Sequence, residues 1–285
     1  MKLARFTHAG RTRLGVVEGE TIADIGSADP TLPTDVLGVV GPDGLARAAS
    51  LVAGAPRLAL TDVRLEAPIT VPPVFLAIGL NYAAHVAESG MKKPDAPVVF
   101  NKQITCVVGP YDPIEVPTVA PDWVDYEGEL GIVIGTRCRN VSVERAPEVV
   151  AGYLVVNDVS VRDWQRATPT MTMGKSWDTH GPIGPWLVTA DEVPDPHNLR
   201  LRTWVDDEIR QDSSTSQMIT NCWEQIAHLS TAFTLLPGTI IATGTPEGVG
   251  MAAKPPRCLK IGSRVRIEIE GIGTINNPVV AQALT

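Results

Sequence analysis

The sequence predicts an α+β chain that is predominantly β, on three observations. Short apolar runs bounded by glycine, proline or charged residues recur at 74–80, 98–102, 130–135, 153–156 and 240–243, and each reads as a strand. Clean alternation at 264–270, and a charged turn at Asp206-Asp207-Glu208 within 199–209, add half-exposed strands. Helical spacing is confined to short stretches near 44–54, 81–90 and 217–236.

A proline-rich passage at 67–73 divides the 285 residues into a small unit, 1–68, and a larger one, 69–285. The length is ample for a substantial core. A formal charge of -8 and a pI near 5.2 argue against nucleic acid or an anionic membrane as partner. No apolar run approaches the roughly 18 residues of a membrane helix, and residues 1–8 carry no signal-peptide core. Cys106, Cys138, Cys222 and Cys258 form no CxxC pair and read as free thiols, so a cytoplasmic location is expected.

In the small unit, Leu14-Gly15-Val16-Val17, then Glu18-Gly19-Glu20, then 21–25 is a hairpin signature. The alanine-rich stretch 44–54 is a short helix ending in glycine. Neither holds a reactive cluster.

The larger unit opens on the strand 74–80, after which Asn81 is placed to cap a helix running to about Gly90. His85 and Glu88 lie three apart on it and share a face, where a carboxylate can orient an imidazole as a general base requires. Residues 90–97 are polar and broken by proline, which predicts a mobile flap. The next strand ends in Lys102.

The centre of the chain is 124–135. Its second half is apolar and glycine-rich, as in a strand buried on both faces, while Asp125, Glu127 and Glu129 alternate at its start. Alternation puts all three on one face, with neighbours roughly 7 Å apart. Acids so crowded beside a buried strand call for a cation, and oxygen donors favour magnesium, manganese or calcium. Asp158, just past the strand 153–156, is the best further ligand. Lys102, Arg162 and Lys175 are placed to neutralise an anionic substrate. In the helix 217–236, Ile219, Trp223, Ile226, Leu229 and Phe233 form a core stripe. The loop Gly244-Thr245-Pro246-Glu247-Gly248-Val249-Gly250 follows a strand but matches neither nucleotide-binding spacing; its glycines suit a close approach of backbone amides to a small anion.

Six collinear motifs resemble the fumarylacetoacetate hydrolase family. They are 79–88 (Gly-Leu-Asn-Tyr-Ala-Ala-His-Val-Ala-Glu), Phe100-Asn101-Lys102, 125–130 (Asp-Tyr-Glu-Gly-Glu-Leu), Asn157-Asp158-Val159-Ser160, 174–179 (Gly-Lys-Ser-Trp-Asp-Thr) and 243–250. The resemblance implies a mixed β-roll catalytic domain, usually in a homodimer, that binds magnesium or manganese. It assigns the metal to Glu127, Glu129 and Asp158, with Asp125 behind them. It places a catalytic dyad at His85 and Glu88, with Lys175 beside the reacting centre. It places substrate contacts at Tyr82, Lys102, Arg162, Gln165 and Thr245.

The implied substrate is a small anionic 2-oxo acid. The leading expectation is hydrolysis of a 2,4-dioxo acid of the acylpyruvate type, including sugar-derived 2,4-diketo-3-deoxy acids, to pyruvate and a carboxylic acid. Decarboxylation of oxaloacetate-like acids and isomerisation of hydroxymuconates share the same chemistry and are the alternative. A metal-binding structural or regulatory protein is the remaining class, against which the full set of reactive residues argues.

Overall fold

Alternation in the first residues folds into an antiparallel meander, β1 (Lys2–His8), β2 (Arg11–Glu18) and β3 (Thr21–Ala23). The computed structural model describes residues 1–283. The strand expected to reach Ile25 stops earlier, because the Asp24 side chain accepts from Ser27 N and starts the single turn α1 (Ile25–Ala28). Then come α2 (Pro42–Leu51), with proline in its first turn, β4 (Arg57–Ala59) and β5 (Arg64–Glu66).

The larger unit continues with β6 (Phe75–Gly79), α3 (Ala83–Glu88), β7 (Val98–Lys102), β8 (Val107–Val108) and β9 (Ile114–Val116). Its centre comprises β10 (Val124–Asp125), β11 (Gly128–Ile134), β12 (Val150–Asn157), β13 (Ser160–Val161), α4 (Arg162–Ala167), α5 (Thr172–Lys175) and β14 (Gly181–Thr189). It closes with β15 (Arg200–Val205), β16 (Glu208–Ser214), α6 (Cys222–Ala232), β17 (Ile240–Ala242), β18 (Arg264–Ile269) and β19 (Gly273–Ala281).

The main sheet runs β4-β3-β2-β1-β14-β12-β11-β17-β6-β7, with β5 on β1 and β8 on β14. It is mixed: β17 runs parallel to β6 and β8 parallel to β14, while the other pairs are antiparallel. A second sheet runs β16-β15-β18-β19-β9, and β10 pairs with β13 alone. The sheets are open and mixed, an α+β architecture dominated by strands.

Every residue of β11 is buried. Leu130, Ile132 and Ile134 join Ile267, Ile269 and Ile275 of the second sheet, whereas Val133 joins Leu154, Leu3, Leu14 and Val16 on the other side. That two-sided burial is why the segment reads as a continuous apolar run. Gly131 is required by packing: a Cβ there would stand 2.6 Å from both Leu154 Cδ1 and Val156 Cγ2. The N-terminal strands therefore share a core with the larger unit, through β1 against β14.

Two expectations need correction. Asp206 and Asp207 (φ 52° and 64°) alone form the hairpin turn, and Glu208 already belongs to β16. The helix expected over 217–236 is α6, 222–232, started by a capping box in which Asn221 accepts from Trp223 N and Glu224 N while Glu224 reaches back to Asn221 N. Ile226 and Leu229 are buried as expected, but Ile219 precedes the helix, and Phe233 lies past it and is 40% exposed. Among the described residues no helix is long and apolar enough to cross a membrane, and all four cysteines are unpaired.

Candidate metal centre and active site

The acidic motif is built by a break. β10 ends at Asp125 and β11 begins at Gly128, so Tyr126 and Glu127 leave the ladder. Glu127 N donates to Asn157 Oδ1 (3.1 Å), and Asp158 N donates to the Glu127 carbonyl (2.9 Å). These bonds bring Glu127 beside Asp158 where β11 begins and β12 ends. Glu129 stands on β11 itself and accepts from Gly244 N at 2.7 Å.

Glu127, Glu129 and Asp158 each offer an oxygen, and these atoms lie within 4.8 Å of one another. All three residues are buried. Asp125 does not share their face, contrary to simple alternation. It is drawn aside by Arg162 Nε (2.9 Å), Gly250 N (2.8 Å) and Met251 N (2.9 Å).

Three buried cations face these acids. Lys175 Nζ donates to Glu127 Oε2 (2.6 Å) and Asp158 Oδ2 (2.7 Å). Lys102 Nζ donates to Asp158 Oδ1 (2.7 Å) and to the Lys175 carbonyl. Arg162 Nη1 donates to Glu127 Oε1 (2.6 Å) and to Gln165 Oε1 (2.9 Å). Each side chain sits at an element boundary, Lys102 ending β7, Arg162 opening α4 and Lys175 closing α5.

Four carboxyl groups meet three cations, so one of them lacks a cationic partner, and the ion pairs locate it. Asp125, Glu127 and Asp158 each touch a cationic side chain; Glu129 touches none among the described residues. Burial opposes ionisation of Glu127, but Lys175 and Arg162 hold its carboxyl well below the usual range. Burial, with Asp158 and Glu127 as like charges, pushes Glu129 well above it. A buried set of oxygen donors in which one carboxyl has no cationic partner suits a hard divalent cation.

The dyad sits on α3. His85 Nδ1 lies 2.7 Å from Glu88 Oε1, and Glu88 Oε2 accepts from Gly248 N at 2.9 Å. An ionised Glu88 only accepts, so the network assigns the imidazole proton to Nδ1 and leaves Nε2 with its lone pair. The loop 244–250 thus touches both halves of the site, through Gly244 on Glu129 and Gly248 on Glu88.

Asn81 does not cap α3. Its Nδ2 donates to the carbonyls of Thr220 (3.0 Å) and Thr243 (2.7 Å), its Oδ1 accepts from Thr220 N (2.9 Å), and Tyr82 takes the cap position without a side-chain bond. The helix spans 83–88, and Gly90 (φ 66°) turns the chain into the exposed segment after it. Tyr82 is buried, bridges Met218, and its hydroxyl has no partner among the described residues. Gln165 packs its amide at 3.7 Å from Met171 Sδ. The Thr245 hydroxyl donates to the Gly128 carbonyl (3.0 Å) and accepts from Gln211 Nε2 (2.8 Å). Gln211 carries no sequence signal: it is a neutral amide on a half-exposed strand.

Fold and donor set define a candidate metal centre, with a histidine–glutamate pair tied to the buried acids through the loop 244–250. Residues 75–280 match the family described as fumarylacetoacetate (FAA) hydrolase C-terminal, and residues 1–68 match the one described as Rv2993c-like, N-terminal. The chain belongs to the fumarylacetoacetate hydrolase family, whose members are enzymes. A protein of Burkholderia cenocepacia (strain HI2424), named only as a hydrolase, is 45% identical over 278 residues, covering 96% of each chain. Maleylpyruvate hydrolase from Sphingobium sp. SYK-6, solved with manganese(II) and pyruvate, is similar with a TM-score of 0.83 and 36% identity, covering 99% of this chain and 100% of that one. The 5-carboxymethyl-2-hydroxymuconate delta-isomerase of Mycobacterium smegmatis is similar with a TM-score of 0.79 and 37% identity, covering 100% of both.

Proposed function

We propose that the chain hydrolyses the C3–C4 bond of a 2,4-dioxo acid of the acylpyruvate type, using magnesium or manganese held by Glu127, Glu129 and Asp158. The supporting observation is the buried cluster of Glu127, Glu129 and Asp158, with oxygens within 4.8 Å of one another and no cationic partner for Glu129 among the described residues, in a site that also holds an imidazole bound through Nδ1 to Glu88. When bound, the ion polarises the carboxylate and 2-oxo oxygens of the substrate.

The chain's own residues do the rest. Arg162, Lys102 and Lys175 pair with Asp125, Glu127 and Asp158 and hold them in place, and the Lys175 ammonium adds positive charge where negative charge develops. His85 Nε2 takes a proton from the water that attacks the C4 carbonyl, and Glu88 stabilises the imidazolium formed. The new C–O bond gives the carboxylic acid. The C3–C4 electron pair stays with the three-carbon fragment, which leaves as pyruvate after protonation at C3.

Similarity to the Mycobacterium smegmatis enzyme favours a second reading, hydroxymuconate-type isomerisation, with oxaloacetate-type decarboxylation sharing the same residues. The deciding experiment incubates the protein and manganese with 2,4-dioxo acids, a 2-hydroxymuconate and oxaloacetate, and identifies the products. Pyruvate from a dioxo acid supports hydrolysis. Turnover of only the other two overturns it.

A further inference from the structure

Gln211 is the sole buried residue of β16, an edge strand of the second sheet, and its side chain crosses to the centre of the main one. A primary amide at an inward strand position requires a partner for each of its polar groups. All are found. Oε1 accepts from Gly128 N (3.0 Å), and Nε2 donates to Thr245 Oγ1 (2.8 Å) and to the Pro246 carbonyl (2.9 Å). Thr245 Oγ1 passes its one hydrogen to the Gly128 carbonyl (3.0 Å), which closes a ring through both peptide groups of Gly128.

The ring fills a gap in the sheet. β17 pairs with β11 only from Gly131 onward, so the edge at Gly128 lacks a neighbouring strand there. A side-chain amide presents a donor and an acceptor as a peptide does, and so can stand in for the missing strand. Gly128 lies between Glu127 and Glu129, so fixing its two peptide groups fixes the bearing of both carboxylates. The position tolerates no side chain, since a Cβ would fall against Thr203 Oγ1 and 3.2 Å from Gln211 Oε1. Gly244, which holds Glu129, is the neighbour of Thr245 in the same ring.

We propose that Gln211 is a positioning residue of the metal centre, holding Gly128 and Thr245 so that Glu127 and Glu129 are preset for a divalent cation. This rests on the metal reading given above. Residues behind metal ligands typically contribute 10- to 100-fold in affinity.

The test is the manganese(II) dissociation constant, from the electron paramagnetic resonance signal of free ion, for the wild-type protein, Gln211→Met and Asp212→Ala. Asp212→Ala breaks the neighbouring Arg200 pair on the same strand but leaves the ring intact, and so controls for loosening of β16. The expected result is affinity weaker by about 10- to 100-fold in Gln211→Met and wild-type affinity in Asp212→Ala. Should Gln211→Met fail to fold, Gln211→Asn, one methylene too short to close the ring, takes its place. Wild-type affinity in the Gln211 variant, or an equal loss in Asp212→Ala, overturns the inference alone. Absence of manganese binding by the wild-type protein overturns the proposed function with it.

Discussion

Glu88 lies between two donors, with one carboxylate oxygen 2.7 Å from His85 Nδ1 and the other 2.9 Å from Gly248 N. Gly248 has φ +99°, and a Cβ there would collide with the Arg210 carbonyl, so its amide is aimed by a backbone only glycine provides. Glu88→Gln has one acceptor for two N–H groups and must turn an NH2 toward one of them. The expected outcome is a fall in kcat of about 10²-fold, within the range that general-base assistance supplies, with manganese affinity unchanged. Turnover and ion titration of the same variant check it.

His85→Ala distinguishes the reactions that share the metal. Hydrolysis requires an activated water, whereas decarboxylation releases carbon dioxide without one. Acylpyruvate hydrolysis should fall by about 10² to 10⁴-fold, and any oxaloacetate decarboxylation far less. Steady-state rates on both substrates decide; an equal fall in both removes the water-activating role from His85.

The acids of the centre should respond with opposite signs in the absence of divalent ion. Glu127→Gln takes a partner from both Arg162 and Lys175, and stability should drop on the order of 3 kcal/mol. Glu129→Gln removes a carboxylate that faces Asp158 and Glu127 without a cation of its own, and its melting temperature should equal or exceed that of the wild type. Manganese should then raise the wild-type melt by mass action and those of both variants much less. Melting curves with and without the ion test both statements, and equal losses in the two ion-free variants would contradict the charge assignment.

His180 predicts a further pH dependence. It is buried; its Nε2 lies 2.8 Å from the Glu115 carbonyl, and burial pushes its pKa from 6.5 down to about 3. The unfolded chain takes up this proton near pH 6.5 and the folded one only near 3, so stability is full above 6.5 and is lost as pH falls. The slope from this one group is about 1.4 kcal/mol per pH unit. His180→Gln, which keeps a donor near the Nε2 position, should flatten the dependence between pH 6 and 4. Denaturant titrations of both proteins at several pH values measure it.

Glu127 and Glu129 draw attention because they stand ahead of an apolar run, and Asp158 because it stands just past the end of another. The break at Tyr126-Glu127 is not legible. Period-two alternation puts Asp125 with the other two acids, but the amides of Gly250 and Met251, 125 and 126 residues downstream, claim it instead. Asn81 fails for the same reason. An asparagine before a helix reads as a cap, yet its partners are at 220 and 243, and no local pattern announces them. Gln211 is the extreme case, since its meaning lies wholly in what stands across the sandwich. Local signals placed the elements; contacts distant in sequence decided which way the side chains turned.

β1 meets β14 through Lys2 opposite Val188 and Leu3 opposite Leu187, with Leu3 and Leu187 both buried. Removing residues 1–68 would strip that flank and leave unsatisfied peptide groups between apolar side chains. An edge of that kind recruits strands from other molecules. The N-terminal meander is therefore also a solubility device, and a fragment beginning after it should precipitate or assemble edge to edge even with every residue of the centre in place.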